Sequence, residues 1–372
     1  MTRRKVGGSG SHGLLGVLFA HHREHEPRHV AILMLTAGAL SLAVSIVLAR
    51  VAGFDAVASH LRHAHTYWFP FAIAGAFAAH VGYVIAYREV AEVDRGTRIG
   101  ALRAGAVVAA GFGMFTPRGG FAVDLEALQD LGVPREEARV RVLGLGSLEY
   151  AVLSVAACAC AILLLLSHAR AETAVTLSWT IGVPAGTALA VLAVRYRNWI
   201  CRGPLRGVRP ALEAIEIVRK IVAAPRRHGG KAFFGMSIYW AGEVFVLWAC
   251  LAAFTRHTPS IEAVVVGYAT GYALTRRTLP LAGAGAVEAL LPFALTWVGF
   301  GLAPAVLAVF AYRLFNLWLP LGPAIAALFV LRRRPPEPPA DGRPLAPDAE
   351  VGGDDRDREA VEDAGSVPDV HG

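Results

Sequence analysis

Charge is what this sequence has least of. Asp, Glu, Lys and Arg make up 17 % of its 372 residues, where a soluble domain carries about a quarter. Hydrophobic residues make up 55 % and the mean hydropathy is +0.48. That balance excludes the two or three soluble domains that the length alone would imply. Cysteine is scarce too. The chain has four, with Cys158, Cys160 and Cys250 inside apolar runs and Cys201 in a basic loop. They read as small apolar fillers and a free thiol, not as a disulfide framework. A P-loop, a dinucleotide fingerprint and a Ser-His-Asp arrangement are all missing. The apolar run at residues 13–20 lacks a small-residue cleavage pattern, so no cleavable secretory signal is expected.

The charges that are present are distributed unevenly. Residues 335–372 hold three Arg against eleven acids, a net of −8; the whole chain is +7, so residues 1–334 carry +15. A basic body cut by long uncharged runs suits loops facing an anionic membrane leaflet. Nucleic acid is not an expected partner, because the basic residues sit in short loops rather than on one soluble face.

A bilayer core of roughly 30 Å needs about 20 apolar residues in a helix. Six segments meet this: residues 30–49, 66–87, 142–167, 173–194, 232–254 and 305–331. Two further apolar stretches are interrupted. Residues 104–115 run into TPRGG, and residues 263–275 run into RRTLPLAGAG before resuming as AVEALLPFALTWVGF. Basic residues crowd the first 29 positions, residues 88–103 and residues 195–231. Keeping all of these on the inner side predicts an all-α polytopic membrane protein with six spans and two re-entrant hairpins. Hairpin one would dip in from the cytoplasm and hairpin two from outside. The alternative counts each interrupted stretch as a full crossing and has eight spans. In the six-span order, span two, hairpin one and span three repeat as span five, hairpin two and span six with opposite orientation. That is the layout of an inverted repeat.

The expected organisation is a cytoplasmic basic arm (1–29), a membrane domain (30–332) and a disordered acidic tail (333–372), with both termini cytoplasmic and the cell membrane as location. Residues 204–224 predict an amphipathic helix, lying either in the headgroup layer or free in solvent as a linker.

Charges inside spans are costly and mark cavities or ion pairs. The candidates are Glu149, Glu243, Glu288, Arg313 and the pair Arg276–Arg277. Pro280 ends one half-helix, and Gly283 and Gly285 permit a sharp turn. Glu288 then falls in the first turn of the next helix, where the dipole favours an acid. The N–H groups there, with Arg276, Arg277 and Arg313, form a candidate site for an anionic headgroup. Arg118 and Asp124 beside Gly119 and Gly120 form a smaller version in hairpin one. Glu149 and Glu243 read as coupling charges or as structural ones. No metal or cofactor is expected: the HHREH run matches a zinc-peptidase spacing through His21, Glu24 and His25, but it lies in a short polar arm with no domain around it.

At these residues the chain resembles a known family. RTLPLAGAGAVEALLP and the stretch after it look like the C-terminal signature of the transmembrane domain of lysylphosphatidylglycerol synthase, through Pro280, Gly283, Gly285, Glu288, Gly299 and Tyr312-Arg313-Leu314. The 116–150 stretch resembles the N-terminal signature, with Ala122-Val123-Asp124 in place of the usual Glu and Tyr150 in place of an Arg. The resemblance implies a flippase-like domain acting on membrane lipids, its partner a separate lipid-modifying enzyme. Only 38 residues follow Arg334, so lysyl transfer by an attached aminoacyltransferase domain is not expected. The function expected first is translocation of an anionic lipid or lipid-linked glycan. The alternatives are a membrane transferase acting on a polyprenyl-phosphate lipid, or a scaffold for a separate lipid synthase.

Overall fold

A computed structural model describes residues 27–93, 96, 98–113, 120–167, 171–200, 209–223, 229–271 and 283–333. The basic arm before residue 27, the acidic tail and the tips of both interrupted stretches lie outside these residues. Every regular element among the described residues is helical. The helices of nine or more residues are, in chain order, α1 (Pro27–Ala52), α2 (Phe54–Arg62), α3 (Phe69–Glu92), α4 (Ala101–Gly113), α5 (Gly120–Gln129) and α6 (Arg135–Leu166). Next come α7 (Thr173–Arg195), α8 (Arg209–Ala223), α9 (Gly230–Phe254), α10 (Ile261–Gly271), α11 (Ala286–Trp297), α12 (Leu302–Arg313) and α13 (Leu321–Arg333).

Among the described residues six helices are long and apolar enough to cross a membrane: α1, α3 with its leading turn, α6, α7, α9, and α12 running on into α13. The chain is a multi-pass membrane protein. The sequence reading found all six and misplaced some ends. α6 starts seven residues earlier than expected, at Arg135. Pro134 fixes the entry to that helix and Glu136 and Glu137 suit its positive first turn. The last span contains a π-helical turn, Leu314–Trp318. Pro320 has no N–H and would clash with the carbonyl four residues back, so the extra residue relieves it. Helices α4, α5, α10 and α11 are 10 to 13 residues long, too short to cross alone at about 1.5 Å per residue.

The core is organised around one crossing. α3 and α9 touch backbone to backbone through four glycines. A Cβ placed on Gly82 would lie 2.6 Å from the Gly235 carbonyl oxygen and 2.5 Å from the Tyr239 nitrogen. One placed on Gly242 would lie 2.6 Å from the Gly75 oxygen and 2.7 Å from the Ala79 nitrogen. Gly75 thus meets Gly242, and Gly82 meets Gly235, so the helices run antiparallel. Six spans require this, because spans two and five then differ by an odd number of crossings. Counting each interrupted stretch as one crossing would make the two parallel, so the eight-span order does not fit.

The crossing is also symmetric. Shifting by 160 residues carries Gly75 onto Gly235 and Gly82 onto Gly242, and it maps the contacts onto each other. The same shift carries the start of α4 at Ala101 onto the start of α10 at Ile261. After the hairpins the shift becomes 167. The N–H groups of Leu131, Gly132 and Val133 donate to Leu128, Gln129 and Leu128, and those of Val298, Gly299 and Phe300 donate to Leu295, Thr296 and Leu295. Gly132 and Gly299 both hold the left-handed conformation that closes such a turn, with φ of 82° and 98°. α4 packs on α13 of the other half, and α10 packs on α6. The repeat reaches further than the sequence implied. α1 with the short helix α2 precedes one half, and α7 with α8 precedes the other.

α8 is not a free linker helix, because its apolar face is used within the protein. Its apolar face (Leu212, Ala214, Ile217 and Ile221) is buried and packs on α6, where Gly144 admits Ile217. The ends of the two crossing helices are capped by different means. Arg141 of α6 is buried, and its Nη1 donates to the Ala91 and Val93 carbonyls at 2.8 Å while Nη2 meets Glu137 at 2.5 Å. At the end of α9, the His65 N–H donates to the Ala253 carbonyl at 2.8 Å, and His60 Nδ1 lies 2.9 Å from the Phe254 carbonyl.

The glycine crossing leads to a stability prediction. Gly82→Ala and Gly242→Ala should each destabilise the protein by about 1–3 kcal/mol, the usual cost of overpacking. Gly182→Ala, in α7 where nothing lies within 4 Å, should leave it unchanged. Thermal unfolding of the three variants in detergent tests this.

Candidate functional site

α9 carries Glu243 near its midpoint, and the side chain is 2 % exposed. A lone carboxylate there is costly, and the fold answers with donors from three neighbouring elements. Its Oε2 accepts the Tyr312 hydroxyl of α12 at 2.7 Å, the Tyr268 hydroxyl of α10 at 3.4 Å, and the Asn316 amide of the π turn. The two tyrosine hydroxyls are 3.2 Å apart. The π turn is what brings Asn316 round to this side of the last span, since an added backbone residue rotates the remainder of the helix.

The second carboxylate, Glu288, sits in the first turn of α11. Gly285 occupies the N-cap with φ of 82°, and Gly283 is also left-handed at φ 68°. The Gly285 N–H donates to Glu288 Oε2 at 2.7 Å. Arg313 Nε donates to Glu288 Oε1 at 2.8 Å, with both side chains nearly fully buried. Glu288 thus closes the helix start with one oxygen and holds the last residue of α12 with the other. Tyr312 and Arg313 are consecutive, so one helical turn reaches both buried carboxylates.

In the first half, Asp124 of α5 is fully buried. The Tyr83 hydroxyl of α3 lies 3.4 Å from its Oδ2, and the Tyr87 hydroxyl lies 3.5 Å from its carbonyl, both long for hydrogen bonds. Glu149 of α6 is 2 % exposed, and its backbone carbonyl accepts Trp240 Nε1 at 2.6 Å.

Of the residues singled out in the sequence, the structure brings together Gly285, Glu288 and Arg313 in one cluster and places Glu243 beside it through Tyr312. Asp124 and Glu149 belong to the other half. Arg118, Arg276 and Arg277 lie outside the described residues. The sequence reading anticipated an anion site at the start of α11 for a ligand, and the chain's own Glu288 carboxylate occupies that position. It passed over Tyr83, Tyr268 and Asn316. The signal was there in part: Asn316 is an amide inside an apolar span, which calls for a partner. Among the described residues no group of three or more His, Cys, Asp or Glu side chains is placed to hold a metal ion.

Arg313 and Glu288 are a buried ion pair, so removing one partner strands the other. Arg313→Ala should cost about 3–5 kcal/mol, and Glu288→Gln combined with Arg313→Gln should recover a large part of that. Melting temperatures of the single and double variants, purified side by side, would show it; equal losses would mean that the pair does not hold the fold.

Compared with known proteins, residues 35–324 match a family model described as the lysylphosphatidylglycerol synthase TM region. A comparison with curated proteins finds no match.

Proposed function

Because the chain belongs to the lysylphosphatidylglycerol synthase transmembrane-region family, we propose that it translocates an anionic lipid or lipid-linked glycan across the cell membrane. The observation that carries this reading is the Arg313–Glu288 pair, buried at the start of α11 within an inverted repeat. In transporters built from inverted repeats, substrate sites lie between broken helices near the bilayer midplane. A phosphate-bearing headgroup matches what Glu288 already presents there: an anion accepting from the Gly285 N–H and from Arg313.

In this reading the headgroup competes with the Glu288 carboxylate for Arg313 and the helix start. Arg276 and Arg277 precede the Gly283–Gly285 turn and supply further positive charge, and Arg118 and Asp124 play the corresponding part in hairpin one. Glu288 keeps Arg313 oriented while the site is empty of lipid, so the bundle never buries an unpaired guanidinium. The two interrupted stretches dip into the membrane from opposite sides and return. Both termini are cytoplasmic, because the strongly basic segments then share the inner side.

Two measurements test this. Native mass spectrometry of the purified protein should detect a retained phosphate-bearing lipid that Arg277→Ala loses. Equal retention by both would move the arginines to a structural role and favour a scaffold for a separate lipid-modifying enzyme. For the topology, a cysteine replacing Gly120 should resist an impermeant thiol reagent applied from outside; ready labelling there would overturn the path given to hairpin one.

A further inference from the structure

The two halves share a backbone plan, yet their polar side chains are arranged differently, and the difference has a pattern. The shift of 160 that relates α3 to α9 carries Tyr83 onto Glu243. The shift of 167 that relates the helices after the hairpins carries Glu149 onto Asn316. Glu243 and Asn316 are hydrogen-bonded here, joining the crossing helix of the second half to that half's last span. Their counterparts, Tyr83 and Glu149, are also one donor and one carboxylate, with the roles exchanged. In the second half the crossing helix carries the carboxylate and the last span the donor. In the first half the crossing helix carries the hydroxyl and the last span the carboxylate. A donor facing a carboxylate at these two positions thus recurs in either half.

The helices that carry Tyr83 and Glu149, α3 and α6, are in contact, and α9 touches both residues. The Tyr83 ring packs edge-on against Tyr239 at 5.2 Å, and Tyr239 packs on Trp240 at 4.7 Å. The Trp240 indole N–H holds the Glu149 carbonyl. Two consecutive residues of α9 therefore bridge the pair. In this structure the Tyr83 hydroxyl is directed to Asp124.

We infer that the protein alternates between two states by exchanging these clasps: the Glu243–Asn316 bond opens as a Tyr83–Glu149 bond closes. This rests on the translocation reading for its purpose, since alternating access is what an inverted repeat supplies. Halves related by a two-fold can swap conformations at little backbone cost, and the molecule then opens toward the other side. The α3–α9 glycine crossing stays fixed while the last span of each half moves against it. Asp124 releases Tyr83 in the exchange, which ties the first hairpin to the change, and Tyr268 and Tyr312 tie the second.

The test uses cysteine pairs in a full-length chain whose four native cysteines are replaced. Membranes holding Tyr83→Cys with Glu149→Cys are treated with a short bifunctional thiol reagent. Adding Asn316→Ala should raise the cross-linked fraction about two- to tenfold, the weight of one hydrogen bond in a two-state equilibrium. Reciprocally, Glu149→Ala, which leaves the Tyr83–Asp124 contact in place, should raise cross-linking of a Glu243→Cys, Asn316→Cys pair. Tyr312→Phe, which removes a different bond to Glu243, replaces Asn316→Ala if that variant does not elute as a folded species. Yields that ignore both substitutions in folded protein would overturn the exchange. A lipid-movement assay in proteoliposomes is read separately: movement with unresponsive cross-links removes the clasp alone, and responsive cross-links without movement remove the translocation reading alone.

Discussion

Everything else in the structure is placed by the contact of two backbones. Between Gly75 and Gly242, and between Gly82 and Gly235, no side chain fits, so α3 and α9 lie as near as two helices can. Lipid tails are as apolar as leucine, so helices in a membrane gain little from burying apolar side chains. Close backbone packing and polar contacts do more of the work. Because the crossing is antiparallel and maps onto itself, it also generates the fold. Each crossing helix is followed by its own pair of short helices and last span, and each half inserts its first short helix against the other half's last span.

Around that axis the buried charges are few and are held by more than one partner. Glu288 divides its two oxygens between a helix start and an arginine. Glu243 gathers three donors on one oxygen from two helices and a π turn. Such clusters weigh heavily in either direction. Fully satisfied, they fix one arrangement of α10, α11 and α12. With a partner removed, each leaves a polar group in a medium that cannot solvate it.

How much was legible in the sequence depended on which physical effect wrote the signal. The six spans are set by hydropathy over about 20 residues, a signal that a membrane makes nearly unambiguous. Glu288 and Arg313 stood out for the same reason, as charges in apolar runs. Their pairing did not, since 25 residues and a reversal of chain direction separate them, and the first-turn acid read as a neighbour of a ligand rather than as its stand-in. Tyr83 and Tyr268 were passed over because a tyrosine in a span reads equally as a lipid-facing ring or a core one. The π turn has no composition of its own; only Pro320, six residues after the turn's first, hinted at an interruption. The inverted repeat was readable as an order of elements. The glycine spacing that proves it, six residues between Gly75 and Gly82 and again between Gly235 and Gly242, is too common a pattern to register without the contacts.

The halves differ where symmetry alone would make them alike. The end of α3 is gripped by Arg141, while the matching end of α9 is held by His60 and the His65 backbone. Aromatic rings gather at that second end, with Trp68 edge-on to Trp248 at 5.0 Å and Phe69 against both Phe254 and Phe315, as is common at a membrane–water interface. The polar partners break the symmetry as well: α9 carries Glu243 where α3 carries Tyr83, and α6 carries Glu149 where the last span carries Asn316, so a shared backbone plan holds two different sets of buried contacts.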